Sequence, residues 1–487
     1  MSGYSYVASD WIATASESVE SLVPKALKYA RQIGTSSLGR STFHDRARMV
    51  LRMADYLSQR SDSLYHLSAQ VGATRRDAAS DIDGALALMV GLARVALKEL
   101  PDASEVLDGP PEHLTPDEDL AAQHLYVSPG GVAVMLNAFS LLLRGSAARL
   151  VPAFLAGVPM IIKPAPQTAP VAVELTRLIA QSRVMPKGAL QLLNGRTETF
   201  WDYLRGGDRV YFTGSSRTAL KLARQPKVVS GRVELSVAAE SVNAAILGPD
   251  WGPGSPGFRA LIGCVATEMT TRAGQTCTAI RRVLVPRESL NAFVDGLCQY
   301  LDETVVLGDP ADPATTVGPL IDHAQLRHLN RQVKELVAFG GRVVRGGAKP
   351  RRLTGPYFEP TVLAFAQPSP VFSDVEPFGP VVSVGSYTSR AEAIRLANDD
   401  AGSTVITLAS GDLAFRREVI AGLASWHRRI RLLDEFSQEP MPAQRGEGHE
   451  LAGVRSILSW MRRVAIEGSE SQLAQLAAYD KAVRVSR

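Results

Sequence analysis

Between residues 131 and 223, short apolar runs alternate with amphipathic segments of helix length, and this alternation constrains the fold more than any other feature. The strand-like runs are Gly131-Val-Ala-Val-Met-Leu136, Pro159-Met-Ile-Ile-Lys163, Ala189-Leu-Gln-Leu-Leu193 and Arg209-Val-Tyr-Phe212. Helical patterns occupy 142–155, 169–181 and 216–223, with a short one near 197–204. Parallel strands need crossover connections of this length, so the pattern predicts an α/β fold with a mostly parallel sheet covered on both faces. The strand ends at Lys163-Pro164 and Thr213-Gly214-Ser215 fall where such sheets hold nucleotides.

A second α/β region follows, with strand-like 244–248, 282–285, 341–345, 359–363, 381–387 and 404–408 and helical 258–271, 290–304, 390–398 and 412–424. Before the alternation lie helical patterns at 22–33, 42–59 and 81–100, then an acidic, Pro-rich stretch at 101–120 that reads as a surface excursion. The run from His124 to Ser128 is a further short strand.

Cys277 lies in Glu268-Met-Thr-Thr-Arg-Ala-Gly-Gln-Thr-Cys277-Thr-Ala-Ile-Arg-Arg282, a polar, Gly-broken stretch between two apolar segments. That setting suits a reactive thiol better than a packing cysteine, because a thiolate becomes a strong nucleophile near helix-terminal amides or cations. Cys264 and Cys298 sit in apolar or amphipathic runs and read as core. Three cysteines without a CxxC spacing predict no disulfide framework, and the polar, acidic N-terminus predicts no export signal, so a cytoplasmic location is expected. No apolar run reaches membrane-spanning length. A net charge of +4 over 487 residues argues against a nucleic-acid surface, and the arginines of 428–431 and 462–463 read as solvated or interface residues.

The ordered set Lys163-Pro-Ala165, Phe212-Thr-Gly-Ser215, Gly274-Gln-Thr-Cys277 and Glu376-Pro-Phe-Gly-Pro380 resembles the aldehyde dehydrogenase superfamily over most of the chain. The nearest likeness is to dehydrogenases of CoA-linked semialdehydes in aerobic phenylacetate and benzoyl-CoA degradation. It rests on Asp81-Ile-Asp-Gly84, Leu136-Asn-Ala-Phe-Ser140, Ala239-Glu-Ser-Val-Asn-Ala-Ala-Ile-Leu247, Glu268-Met-Thr and Cys277-Thr-Ala-Ile-Arg-Arg282, with Gly448-His-Glu-Leu-Ala-Gly-Val-Arg455 and Arg462-Arg-Val-Ala-Ile-Glu-Gly468 extending it.

The resemblance implies a Rossmann-type cofactor domain from 1–120 and 136–235, an α/β catalytic domain from 236–430, and a small oligomerisation element from 121–135 and 431–487. It implies NADP or NAD as cofactor and a homodimer or dimer-based tetramer, its tail added to a neighbour's sheet. Cys277 is then the nucleophile that forms a thiohemiacetal and, after hydride loss, a thioester. Lys163 would meet the adenosine ribose. Phe212, Gly214 and Ser215 would form the turn that receives the pyrophosphate. Glu376 would hold the nicotinamide ribose, with Phe378 beside the ring. Pro166 stands where NAD-preferring relatives often carry Glu, which removes a repulsion against a 2′-phosphate.

Two positions depart from the pattern. The oxyanion-hole asparagine is Ser140, and the Phe-Pro pair that usually follows is Leu141-Leu142. Asn137 sits three positions earlier, in a register that turns it elsewhere. The general-base glutamate is Ala238, with Glu234 and Glu240 on the same face of an extended strand as alternative bases. Three readings follow: aldehyde oxidation, acyl exchange with CoA that needs no activated water, and a catalytically weakened relative acting as a binding or scaffold protein. A long anionic CoA substrate would look for cations such as Arg144 or Arg272. The segment 438–450 is shorter and more charged than the Gly-rich loop of the resembled branch.

Overall fold

The computed structural model describes the chain except residues 1–2, 15–17, 116–119, 141–142, 197–198, 240, 351, 368–369, 400–402, 404, 428, 436–452 and 476–487. Its described residues form three sheets. The first has seven strands, and its parallel part runs in the order Leu190–Leu192, Met160–Lys163, Ala133–Leu136, Arg209–Thr213, Glu234–Ala238. The order of connection reverses between Ala133–Leu136 and Arg209–Thr213, and crevices for ligands open at such reversals, beyond the strands' carboxyl ends.

The helix Leu143–Leu155 follows the central strand and is buried along its whole length, which explains its Gly, Ala and Leu content. Helices Phe43–Ser58 and Arg75–Glu99 pack over it, each opened by a capping box, Thr42 with Asp45 and Thr74 with Asp77. The second box starts the helix six residues before the amphipathic pattern at 81–100 does, because polar Arg75–Asp77 carry no apolar period.

The N-terminal segment is a hairpin, Tyr4–Val7 with Asp10–Ala13, added antiparallel to Leu190–Leu192. Its turn places Ala8 and Ser9 at positive φ, and the Ala8 amide donates to Gln191 Oε1 at 3.0 Å. The second sheet is parallel apart from one edge, in the order Arg342–Arg345, Thr361–Phe365, Val381–Tyr387, Arg282–Pro286, Ala244–Leu247, Ile406–Ala409, Ile430–Leu432. Helices Pro256–Thr270 and Leu290–Thr304 cover one face. His323–Ala338, Arg390–Asn398 and Leu413–Leu423 cover the other.

The small third sheet is Arg462–Gly468, Ala121–Val127, Val106–His113. Its composition differs from the expected projecting element in two ways. The run at 131–136 lies in the middle of the first sheet, since Ala133, Val134 and Met135 are apolar on both faces and need cover on both. In its place Val106–His113 is a strand inside the supposed surface excursion. Pro110 and Pro111 are tolerated because this strand is an edge and its register shifts between Asp108 and Glu112. The tail strand Arg462–Gly468 pairs with Ala121–Val127 of its own chain. Arg462 and Arg463 are exposed, as expected, whereas Arg431 turns inward and pairs with buried Glu268 at 2.8 Å. No described helix is long and apolar enough to cross a membrane, and no described His, Cys, Asp or Glu cluster could hold a metal ion.

Candidate active site

A cleft of about 690 Å³ opens at the reversal point of the first sheet and reaches the second sheet's loops. It is lined by Phe139 and Ser140 after the central strand, by Thr213, Gly214 and Ser215 after the next, and by Ala238 and Ala239 after the edge strand. Cys277, Glu376 and Phe378 come from the other half of the chain. Six residues expected from the sequence thus meet in one place: Ser140, Gly214, Ser215, Cys277, Glu376 and Phe378.

The Cys277 loop is fixed from several sides. Asn243 Nδ2 donates to the carbonyls of Cys277 (2.8 Å) and Ala279 (3.0 Å), while its Oδ1 accepts from Ser241 Oγ and Val405 N. Upstream, Arg272, Ala273 and Gly274 are three consecutive residues at positive φ (51°, 51° and 68°). A side chain at 274 would also strike the Gly379 carbonyl, so only glycine lets the two segments touch. Two buried guanidiniums, Arg149 and Arg281, interact electrostatically with Cys277, and burial pulls the pKa of both down. Cations so placed favour a thiolate.

Arg281 is fully buried and ion-paired with Glu376 at 3.5 Å, and its guanidinium lies 5.3 Å from the Phe378 ring centre. Glu376 Oε2 accepts from Ser241 N at 2.8 Å, so this carboxylate ties the turn after Ala238 to the second sheet. Phe378 meets Phe139 edge-on at 5.8 Å.

The turn at 213–215 suits an anion. Gly214 sits so close over the Phe212 ring that a Cβ would overlap it, which assigns Phe212 a supporting place beneath the turn and not on the cleft wall. Ser215 caps the helix Ser216–Ala223 through Thr218 N and lines the cleft, so the helix begins at the cleft wall, where free first-turn amides suit an anion. Lys163 ends its strand half-buried, its pKa lowered by desolvation, with no ion pair among the described residues. It ends the strand next but one to Arg209–Thr213, at the same carboxyl-terminal edge of the sheet as the 213–215 turn. Pro166 is exposed and opens the short turn Pro166–Thr168 two residues beyond Pro164.

Other expectations are corrected. Glu234 is at the far end of its strand from Ala238, about 13 Å away at the rise of extended chain. There it is paired with Arg209 at 3.0 Å, directly opposite in register, so it is no base for Cys277. Glu240 and the segment 438–450 lie outside the described residues, as do Leu141 and Leu142. Arg144 and Arg272 are buried in the protein, Arg272 donating to the Ser140 carbonyl at 3.0 Å, and neither lines the cleft. Asn137 donates to Ser146 Oγ at 3.1 Å, away from Cys277.

Gln325, His328 and Gln332 also line the cleft and were not anticipated. They fall at i, i+3 and i+7 on the helix His323–Ala338, a polar stripe flanking the apolar face made by Leu326, Leu329, Val333 and Leu336. Gln325 and Gln332 donate to the carbonyls of Phe378 and Glu376. That spacing was the available signal.

The aldehyde dehydrogenase family profile matches residues 4–423. The chain belongs to the aldehyde dehydrogenase family. The 3,4-dehydroadipyl-CoA semialdehyde dehydrogenase of Aromatoleum evansii is 34% identical over 435 residues, covering 85% of this chain and 81% of its own. The 3-succinoylsemialdehyde-pyridine dehydrogenase of a Pseudomonas species is 28% identical, covering 72% and 74%. A betaine aldehyde dehydrogenase of Staphylococcus aureus, solved with NAD+, superposes with a TM-score of 0.79 at 20% identity over 96% of this chain and 95% of that one. Family and fold make the chain an NAD(P)-dependent enzyme of aldehyde oxidation.

The thiols give a direct test of the site. Burial pushes the Cys264 thiol up to about 12 and raises that of Cys298 as well. At pH 8 only about one Cys264 in ten thousand is thiolate, rising about tenfold per pH unit. Brief iodoacetamide treatment of the native protein is therefore expected to label Cys277 first. Peptide mapping that found Cys264 or Cys298 labelled ahead of it would remove the nucleophile assignment.

Proposed function

We propose that the enzyme oxidises an aldehyde on Cys277, with a CoA-linked semialdehyde as the substrate class, and that the acyl group leaves to a thiol more readily than to water. The observation that carries this reading is the lining of the cleft: Cys277 shares it with Ala238, and the one carboxylate on the described wall, Glu376, is engaged by Arg281 and Ser241. The CoA-linked part is supported by the likeness to the Aromatoleum evansii enzyme.

In this scheme the Cys277 sulfur attacks the aldehyde carbon, forming a C–S bond and an alkoxide. The Ser140 hydroxyl would serve as a side-chain donor on the wall for that oxygen. Bound NAD(P) supplies the hydride acceptor. Hydride loss leaves a thioester on Cys277, and a thiolate such as that of CoA then displaces it, restoring the Cys277 thiolate. The thiol proton goes to solvent. Run backwards, the same steps reduce an acyl thioester, and the absence of an aligned base at Ala238 favours this thiol-dependent reading over hydrolysis. Rapid mixing of enzyme, NADP and aldehyde, with and without CoA, tests it. A single burst that becomes continuous turnover when CoA is added is expected. Equal turnover without any thiol contradicts it.

Lys163, Gly214 and Ser215 are retained whatever the fate of catalysis, so dinucleotide binding is expected by calorimetry even where turnover is slow. NADP is expected to bind slightly better than NAD. Pro166→Glu should shift the ratio of the two affinities about tenfold toward NAD, the effect of roughly 1.4 kcal/mol of added repulsion. An unchanged ratio would place the adenosine ribose elsewhere. Association of two or four chains across the open edge of Arg462–Gly468 belongs to the same proposal, and light scattering at micromolar concentration tests it.

A further inference from the structure

The motif Asp81-Ile-Asp-Gly84 is remote from Cys277 in sequence, and nothing in the chemistry above uses it. In the fold it sits on the helix Arg75–Glu99, which touches both segments that carry the reacting groups. Asp81 accepts from the amides of Leu143 (3.1 Å) and Arg144 (2.9 Å), the start of the helix that follows Ser140 by three residues. One turn earlier, Asp77 Oδ1 accepts from Arg272 N at 2.8 Å. Its Oδ2 accepts from Thr74 N and Thr74 Oγ1. Positions i and i+4 share one helix face, so a single rigid rod presents both carboxylates side by side. Gly84 completes the face: a Cβ there would press on the Arg144 side chain at 3.0 Å.

We infer that Asp77 and Asp81 are positioning residues, which hold the Cys277 loop and the Ser140 helix start at a fixed separation across the cleft. The Arg272 guanidinium closes the circuit by donating to the Ser140 carbonyl at 3.0 Å. The loop needs such a hold. Left-handed backbone at Arg272 and Ala273 is strained and persists only where surroundings over-determine it. Asp77 grips the backbone of this turn from the first half of the chain. Burial raises its pKa, so the ionised form is a stability cost above the ordinary carboxylate range, which packing alone gives no reason to bear. Asp81 acts on the opposite side, where two charge-assisted bonds fix where the helix begins.

The inference rests on Cys277 being the nucleophile, and the test separates the two. Asp77→Ala and Asp81→Ala are compared with Thr74→Ala, which weakens the same cap but leaves the Asp77–Arg272 bond in place. Hydrogen exchange of full-length protein is followed in peptides covering 271–277 and 143–150. The rate of the NADPH burst and the calorimetric affinity for NADP are measured alongside. Asp77→Ala should speed exchange in the first peptide alone, and Asp81→Ala in the second alone. Both should slow the burst about tenfold or more, the scale of a sub-ångström misplacement, with NADP affinity unchanged. Thr74→Ala should lower the melting temperature and change neither exchange nor burst. Should Asp77→Ala fail to fold, Asp77→Asn serves, since one amide can accept from Arg272 or from Thr74 but not from both. Exchange and burst no different from Thr74→Ala would overturn the clamp. A wild-type protein without a burst would sink the functional reading while exchange still decided the clamp.

Discussion

Ala238→Glu is expected to speed hydrolysis of the Cys277 acyl enzyme by about a hundredfold, the lower end of what a positioned general base supplies. The backbone at this position is already set. Ala238 ends its strand opposite Thr213, its carbonyl accepts from Gly214 N at 3.2 Å, and its side chain faces the same cleft as Cys277. A glutamate there would reach into a partly desolvated space, where burial raises a carboxyl's pKa toward neutrality and makes it a better base. In the unmodified protein no described carboxylate can take the role, because Glu234 is held by Arg209 at the far end of the strand and Glu376 by Arg281. The wild type should therefore release one equivalent of NADPH and stall without a thiol. The variant should continue at a steady rate with an unchanged burst. Efficient hydrolysis by the wild type would show that another group already activates water.

What was legible in the sequence follows from how local each signal is. Strands such as Met160–Lys163 and Arg209–Thr213 announced themselves because central parallel strands are apolar on both faces. The hairpin Tyr4–Ala13 did not: its strands are four residues long, and its place depends on pairing with Leu192, almost the whole first sheet away in sequence. Val106–His113 was hidden by Gly109, Pro110 and Pro111, residues that argue against a strand unless it is a bulged edge. In the site, Cys277 stood out because a polar, Gly-broken loop is an unusual address for a cysteine. Arg149 and Arg281 did not, since a buried arginine in an apolar run looks like any other until its partners, Thr213 and Glu376, are brought to it by the fold. The reading of Glu234 failed on distance. Alternation put it on the same face as Ala238, but a shared face says nothing about which end of the strand meets the cleft.

Ser140→Asn is expected to raise the rate of the burst by about a hundredfold, the low end of what one oxyanion donor supplies. The Ser140 carbonyl is pinned by Arg272, so a side chain at this position projects from a fixed backbone beside Cys277. Serine offers one hydroxyl on a short stem, whereas asparagine extends an amide donor further toward the place where the alkoxide forms. The gain should appear in the step that builds charge on the aldehyde oxygen. Release of the acyl group to CoA should gain less, because the thioester carbonyl is attacked by a good nucleophile and loses a good leaving group. Combining Ser140→Asn with Ala238→Glu should then give a faster burst and a faster steady rate, each close to that of its single variant, since the two act on different steps. An unchanged burst in Ser140→Asn, with Cys277 alkylated as readily as in the wild type, would mean that residue 140 does not face the developing oxyanion and that the donor belongs to another element of the cleft wall.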